Sequence, residues 1–474
     1  MSSVETRTPV VNAESSGQLS SLSLLMEEEQ ENIGGELELV ETDVIGVTKE
    51  DAMPPKEEKL DSSEESKKIP PVSLCSFKPE SNKLEDLSER ERIALYELRC
   101  EIQKHLNSKG QLQDVSEKNP AKRSEEGIEP RTSIWGVPLL EDDRSDVVLL
   151  KFLRARDFKV SDALSMIKDT IQWRAHFQID KIENEDLGDD WDQVVFMQGK
   201  DRNGHPVCYN VYSAFQNKEL YQKTFSDEGR RKNFLRWRIQ SLEKSVRELD
   251  YHPAGVSTIF QVNDLKNSPG PAKRELRLAT REALLLLQDN YPEFVAKQIF
   301  INVPWWYLAF YSLLSPFLTQ RTKSKLVFAG PSKTSETLLK YISPEQVPVQ
   351  YGGLSMDCCD CNREFTIDDP ATYITLKPGT KQTVEIIVYE QCDILWELRV
   401  VEWEVTYGAE FVPEKPESYT IIIQKPTKMA PTDEPVLLGR FKVSELGKIL
   451  LTVDNPTPKK KLLVYRFKVK PLSN

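Results

Sequence analysis

The sequence has few of the residues and motifs on which common enzyme and metal sites are built. It contains four histidines among 474 residues, and they are scattered along the chain. No HExxH, GxSxG or Walker A sequence is present, which removes the usual routes to a zincin, a serine hydrolase or a P-loop site. The CxxC spacing from Cys358 to Cys361 has no second pair and no nearby histidine to complete four zinc ligands. We therefore predict no catalytic residue, no metal, no cofactor and no enzymatic activity.

An excess of positive charge and a long apolar run are also missing. The formal net charge is −12, whereas nucleic-acid-binding domains usually carry a basic face, so nucleic acid is not a predicted partner. The most apolar stretch, residues 303–318, contains Pro304 and Pro316 and is shorter than the roughly 20 residues that span a bilayer. Seven irregularly spaced cysteines and no apolar leader predict a cytoplasmic protein, whose membrane contact would be peripheral.

Four regions differ in composition and in hydrophobic period. Residues 1–84, rich in Glu, Asp, Ser, Lys and Pro, predict a disordered acidic tail, either a regulatory arm or a solvated spacer. Residues 85–185 have apolar positions at helical spacing and predict a helical lead-in. Residues 186–354 alternate strands with long helices, which predicts an α/β domain with a mainly parallel or mixed sheet. Residues 355–474 contain only strand patterns, which predict an antiparallel β-sandwich.

Several motifs resemble the CRAL-TRIO family, the fold of yeast phosphatidylinositol transfer protein and the tocopherol carriers. They include LLKFLRARDFKVSDALSMIKDTIQWR, the strand ending in NDLKN, DNYPEF and the closing VPVQYGG, and together they cover residues 147–353. The part from WEVTYGAEF to the end resembles the GOLD domain. An acidic tail, a CRAL-TRIO domain and a GOLD domain in this order resemble the plant patellins. The resemblance implies an apolar lipid pocket, peripheral membrane association and a role in vesicle traffic, notably at the cell plate.

The resemblance places an aromatic segment at the position of the family's mobile gate helix. Two prolines bracket this segment, which suits a unit that hinges at its ends. The same stripe at helical spacing is also typical of an ordinary core helix. The gate and pocket residues that the resemblance implies are Trp305, Trp306, Phe310, Leu314 and Phe317.

A lipid headgroup site is also implied by the resemblance. Glu293 in DNYPEF and Lys325 in RTKSKLVF match the family's inositol-binding Glu and Lys, while Thr322 and Arg156 match a nearby hydroxyl and a basic residue. Glu293 would accept from ring hydroxyls and Lys325 would meet phosphate as a point charge. The alternative is a buried Glu–Lys ion pair that only fixes the gate. Asp157 replaces a basic residue of the yeast motif, so a phosphoinositide, another phospholipid or an apolar ligand remain possible.

A basic surface is the last candidate site. In the final strand, basic residues alternate with apolar ones, which predicts one cationic face for an anionic membrane. The alternative is the solvated face of an edge strand, where lysine discourages aggregation. The predicted membrane-facing residues are Lys459, Lys460, Lys461, Arg466, Lys468 and Lys470.

The function predicted from these features is that of a phosphoinositide- or phospholipid-binding carrier or sensor in membrane traffic, with protein partners at the GOLD domain. The alternative is a trafficking adaptor that acts through the GOLD domain without lipid transfer. An apolar pocket suits the carrier because shielding acyl chains from water is worth about 0.8 kcal/mol per methylene.

Overall fold

A computed structural model describes most of the chain between the N-terminal tail and the C-terminus. The described residues are 80–113, 133–268, 273–304, 320–356, 364–433 and 435–471. The predicted acidic tail lies outside them except for its last residues, of which Ser81 and Asn82 accept hydrogen bonds from Arg154 at 2.6 Å each. The predicted gate segment and the CxxC pair lie outside the described residues.

Helices dominate the first half of the described chain, and strands dominate the second. The helices are α1 (Glu89–Gln113), α2 (Asp143–Ala155), α3 (Val160–Phe177), α4 (Ile179–Ile182), α5 (Lys218–Phe225), α6 (Glu228–Arg247), α7 (Arg274–Asn290), α8 (Gln320–Lys325) and α9 (Thr334–Tyr341). The strands are β1 (Ser133–Ile134), β2 (Val137–Pro138), β3 (Val195–Lys200), β4 (Pro206–Val211), β5 (Ile259–Asp264), β6 (Val295–Ile301), β7 (Leu326–Phe328), β8 (Thr372–Leu376), β9 (Thr380–Val388), β10 (Cys392–Val400), β11 (Val405–Pro413), β12 (Ile421–Met429), β13 (Leu437–Val443), β14 (Gly447–Asn455) and β15 (Lys461–Pro471).

The helical lead-in packs around helix α2. The side chain of Asp142 accepts a hydrogen bond from the backbone N–H of Arg144 and caps the helix at its N-terminus. The apolar residues of α2 at helical spacing, such as Leu149 and Phe152, are fully buried. Phe152 stacks on Trp135, with ring centroids 5.5 Å apart. The first apolar core of the molecule therefore includes the junction of α1, α2, α3 and the β1–β2 hairpin.

The α/β domain is built on a five-stranded sheet of order β3-β4-β5-β6-β7. Strand β3 is antiparallel to β4, and β4 to β7 are parallel to one another. Helix α7 connects the parallel neighbours β5 and β6, as a crossover between parallel strands requires. The predicted mixed α/β sheet is confirmed.

The C-terminal domain is a sandwich of two antiparallel sheets. Their strand orders are β13-β10-β15-β8 and β12-β11-β14-β9. Trp396 lies in the apolar core between them and donates its indole N–H to the Tyr407 hydroxyl at 3.0 Å. Gly439 faces this ring so closely that a Cβ there would come 1.9 Å from it. The predicted antiparallel β-sandwich is confirmed.

The α/β domain packs against part of the outer face of the sheet β13-β10-β15-β8. Val436 and Val464 of the sandwich join one apolar cluster with Leu338 and Leu339 of α9. Arg399 crosses the same boundary, and its Nη1 donates to the carbonyls of Val349 at 2.7 Å and Gly353 at 2.8 Å. Apolar burial and buried hydrogen bonds therefore fix the two domains to each other.

Candidate functional site

Glu293 and Lys325 form an ion pair at one end of the mixed sheet. Glu293 precedes β6 and Lys325 directly precedes β7. Because β6 and β7 are parallel neighbours, the residues before them meet at the same edge of the sheet. The Lys325 Nζ lies 2.8 Å from the Glu293 Oε2, and the two side chains are 18% and 4% exposed. The structure thus places together the two residues on which the predicted headgroup site depends.

The backbone of Glu293 is held in a left-handed conformation. Its φ is 55°, a region that residues other than glycine rarely occupy. The Nζ of the buried Lys151 donates to the Glu293 carbonyl at 2.9 Å and to the Ser257 carbonyl at 2.8 Å. It also lies 4.2 Å from the centre of the Phe294 ring. Lys151 therefore fixes the peptide from which the Glu293 carboxylate extends.

Sequence reasoning missed Lys151, although a signal was present. Lys151 interrupts the apolar run VVLLKFL of helix α2, and the structure buries it. A lysine inside such a run needs hydrogen-bond acceptors when it is buried. Burial lowers the pKa of Lys151 to about 7, against the attraction of the Glu293 carboxylate.

A second buried network supports the chain between α7 and β6, to which Glu293 belongs. Arg174 of α3 and Glu243 of α6 form a bidentate ion pair, in which the Arg174 Nη1 and the Glu243 Oε1 are 2.6 Å apart. The hydroxyl of Tyr291 donates to the same Glu243 oxygen at 2.6 Å. Burial next to this carboxylate raises the pKa of Tyr291 well above its ordinary value. The hydroxyl therefore stays protonated and anchors the chain two residues before Glu293.

The remaining predicted headgroup residues lie on neighbouring elements. Arg156 is the C-cap of α2. Burial raises the pKa of Asp289, near the end of α7, and the nearby positive charge of Arg156 reduces this increase. Thr322 lies in α8, one turn before Lys325, but its side chain is outside the described part. The participation of Arg156 and Thr322 stays a prediction, as does that of the five gate residues.

The predicted cationic membrane face is wrong for Arg466 and Lys461, since both are buried. The Nε of Arg466 lies 2.5 Å from the Glu397 carboxylate on β10. The Nζ of Lys461 lies 3.3 Å from the Glu404 carboxylate. The two side chains lie on opposite faces of β15, and each is buried with its charge paired instead of facing solvent.

The chain around residue 365 covers the face of β15 that carries Arg466. Lys468 forms an ion pair of 2.5 Å with Asp369, and Lys470 forms one with Glu364. The Phe365 ring lies 4.8 Å from the Arg466 guanidinium and 5.3 Å from the Lys468 ammonium. Carboxylates and an aromatic face thus satisfy the charges that the strand pattern suggested for a membrane.

The turn before β15 is only partly available to a membrane. Lys460 forms an ion pair of 2.9 Å with Glu336 on helix α9. Hydrogen bonds from Lys460 and Lys333 lower the pKa of Glu336 to about 2. Lys459 is exposed, and its role at a membrane stays a prediction. Among the described helices, none has the length and apolar character needed to cross a bilayer.

Comparison of the sequence with models of protein families establishes the class to which the protein belongs. The model of the CRAL/TRIO N-terminal domain matches residues 101–169, and that of the CRAL/TRIO domain matches residues 190–353. The model of the Patellin-1-like C-terminal GOLD domain matches residues 377–461. These matches cover the helical lead-in, the mixed sheet and the sandwich, so the chain is a CRAL/TRIO protein with a GOLD domain.

Individual relatives narrow this class to one family. Patellin-5 of Arabidopsis thaliana is 67% identical over 411 residues, which are 86% of this chain and 58% of that protein. Patellin-3 of the same plant is 64% identical over 410 residues, which are 86% of this chain and 81% of that protein. The chain belongs to the patellin family. A phosphatidylinositol transfer protein of Meyerozyma guilliermondii is 29% identical over 240 residues, 46% of this chain and 67% of that protein.

Proposed function

We propose that this protein binds a phospholipid, by preference a phosphoinositide, in its α/β domain and acts as a carrier or sensor in membrane traffic. It associates peripherally with membranes, contacts protein partners through the sandwich and catalyses no reaction. A role at the cell plate is part of the proposal and is supported by the family alone.

The observation that carries the proposal is the combination of two unfavourable features at Glu293. A left-handed residue other than glycine costs about 1–3 kcal/mol, and such strain concentrates at functional sites. Burial of the Glu293 carboxylate costs several kcal/mol more, which the attraction of Lys325 offsets only in part. Lys151 and the Tyr291 network hold this arrangement in place. Such support is what a preformed polar site needs.

The chemistry of the pair suits an inositol phosphate headgroup. A carboxylate accepts hydrogen bonds from ring hydroxyls, and an ammonium pairs with a phosphate oxygen. The name of the Meyerozyma relative, phosphatidylinositol transfer protein, supports the same lipid class. Ligand entry would then exchange the protein's own Lys325–Glu293 contact for contacts with the headgroup.

The first test asks whether the purified full-length protein retains phospholipid. It is incubated with vesicles of phosphatidylcholine and phosphatidylinositol, separated from them and examined by native mass spectrometry. We expect one bound phospholipid, with phosphatidylinositol enriched over its share in the vesicles. If the wild-type protein takes up no phospholipid, the carrier proposal fails and a lipid-free adaptor takes its place.

The second test asks whether Lys325 contacts the headgroup. A charge-assisted hydrogen bond contributes about 1.5–3 kcal/mol, so Lys325→Ala should weaken phosphatidylinositol retention by roughly tenfold or more. Phosphatidylcholine uptake should change less. Lys323→Ala, on the same helix, is the matched control and should behave like the wild type. Equal phosphatidylinositol retention by Lys325→Ala would overturn the site assignment.

A further inference from the structure

Three loops of the sandwich meet at the end that lies away from the α/β domain. They are residues 389–391, 414–420 and 444–446. The strand register brings them together, because Gly447 pairs with both Val388 and Pro413. The backbone N–H of Glu414 donates to the Leu446 carbonyl at 2.9 Å. Strand β10 starts at this end and runs to Val400, next to the interdomain contact of Arg399 described above, so the described part of the α/β domain lies at the opposite end of the sandwich.

Large apolar side chains are exposed at this end. Tyr389 is 81% exposed and Tyr419 is 91% exposed, and neither is stabilised by burial in the protein's own core. Ile387, Ile422 and Leu446 are also exposed beside the three loops. Single exposed apolar residues are ordinary, but a group of them with two tyrosines is typical of an interaction surface. We call these five residues the tip surface.

The charge around the tip surface selects the kind of partner. The three loops contain four glutamates and one lysine, namely Glu390, Glu414, Glu417, Glu445 and Lys415. An anionic membrane leaflet attracts basic segments and repels acidic ones, so the charge of these loops disfavours membrane binding. The acidic N-terminal sequence and the tip of a second copy have the same unfavourable sign. Charge complementarity therefore favours a protein segment with basic residues.

The adjoining strand β12 offers a way for such a segment to bind. Among the strands that the structure describes, it pairs with β11 alone and so lies at the edge of its sheet, and most of its residues are exposed. Edge strands present backbone groups with which an extended peptide pairs. Pro426 has no N–H and limits this pairing to the first half of the strand, from Ile421 to Lys425. That half begins two residues after Tyr419.

We propose that the tip surface and the first half of β12 dock an extended protein segment that carries apolar anchors flanked by Lys or Arg. The inference rests on the part of the proposed function that assigns protein partners to the sandwich. It names the surface and the chemistry of the partner. Lipid retention in the α/β domain is a separate property, so the two can fail independently.

The test is a selection of random 12-residue peptides displayed on phage against the full-length protein. We expect selected peptides to combine aromatic or aliphatic residues with Lys or Arg. Labelled synthetic copies should bind Tyr389→Ser/Tyr419→Ser at least about tenfold more weakly, as expected for anchoring aromatic residues. Tyr96→Ser, which changes a tyrosine that is 70% exposed on α1, is the matched control and should bind like the wild type.

Three results would overturn the proposal. The selection yields no enriched peptide, or the enriched peptides lack basic residues, or they bind the double variant as tightly as the wild type. Flotation with phosphatidylserine vesicles tests whether the tip surface binds a membrane, and sedimentation velocity tests whether it binds a second copy of the protein. If the double variant loses vesicle binding or self-association instead of peptide binding, the surface serves a membrane or a second copy. The double variant should keep the phospholipid content of the wild type, which separates this test from that of the lipid proposal.

Discussion

Replacing Lys325 with methionine removes the cation that faces the buried Glu293 carboxylate and keeps most of the volume of the side chain. Breaking a buried ion pair by removing one partner destabilises a protein by about 3–5 kcal/mol. Lys325 is 18% exposed, so water reaches the vacated position. We therefore expect a loss near the lower limit, about 3 kcal/mol.

The double variant Glu293→Gln/Lys325→Met removes both charges and separates the two explanations of the pair. Without an uncompensated charge, its loss of stability should be only about 1 kcal/mol, because a neutral replacement of a buried pair is often well tolerated. Urea unfolding of the wild type, Glu293→Gln, Lys325→Met and the double variant gives the coupling energy between the two side chains. Lys323→Met is the control and should lie within about 0.5 kcal/mol of the wild type.

Lipid retention by the same four proteins decides the role of the pair. If Glu293 and Lys325 bind the headgroup, the double variant is nearly as stable as the wild type but retains far less phosphatidylinositol. If the pair only fixes the fold, the double variant recovers stability and lipid together. The second result would refute the headgroup reasoning, because no charge at this position would then be needed for the lipid.

Three further variants test the supports of this architecture. Burial lowers the pKa of Lys151 to about 7, whereas the unfolded value is about 10.4, so the folded state loses this proton first. In urea titrations, the wild type should therefore gain stability over Lys151→Met as pH rises from 7 to 9, by at most about 1.4 kcal/mol per pH unit; a constant difference contradicts this assignment. Arg399→Leu removes two interdomain hydrogen bonds and should lower the unfolding free energy by about 1.5–3 kcal/mol and speed proteolysis between the domains; an unchanged cleavage rate contradicts it. Gly439→Ala overpacks the sandwich core and should lower the unfolding free energy by at least about 1–3 kcal/mol, while Gly330→Ala, whose added Cβ would meet nothing closer than 3.9 Å, should have little effect.

The two folded domains were predictable because their patterns are local. Strands that alternate with helices up to about residue 354 indicate parallel crossovers, and the period of two beyond it indicates an antiparallel sandwich. The pairing of Glu293 with Lys325 was predictable only through the family resemblance. The two residues are 32 positions apart, and neither the spacing nor the composition brings them together.

The sequence alone determined which residues of the last strand share a face, since side chains alternate along any strand. It did not determine what covers each face, and only the tertiary structure showed that Arg466 and Lys468, on one face, meet the carboxylates of Glu397 and Asp369. The role of Lys151 was likewise decided by the tertiary structure, because its acceptors, Ser257 and Glu293, are 106 and 142 residues away. Hydrophobic period is a property of neighbouring residues, whereas the partner of a buried charge depends on how distant segments pack.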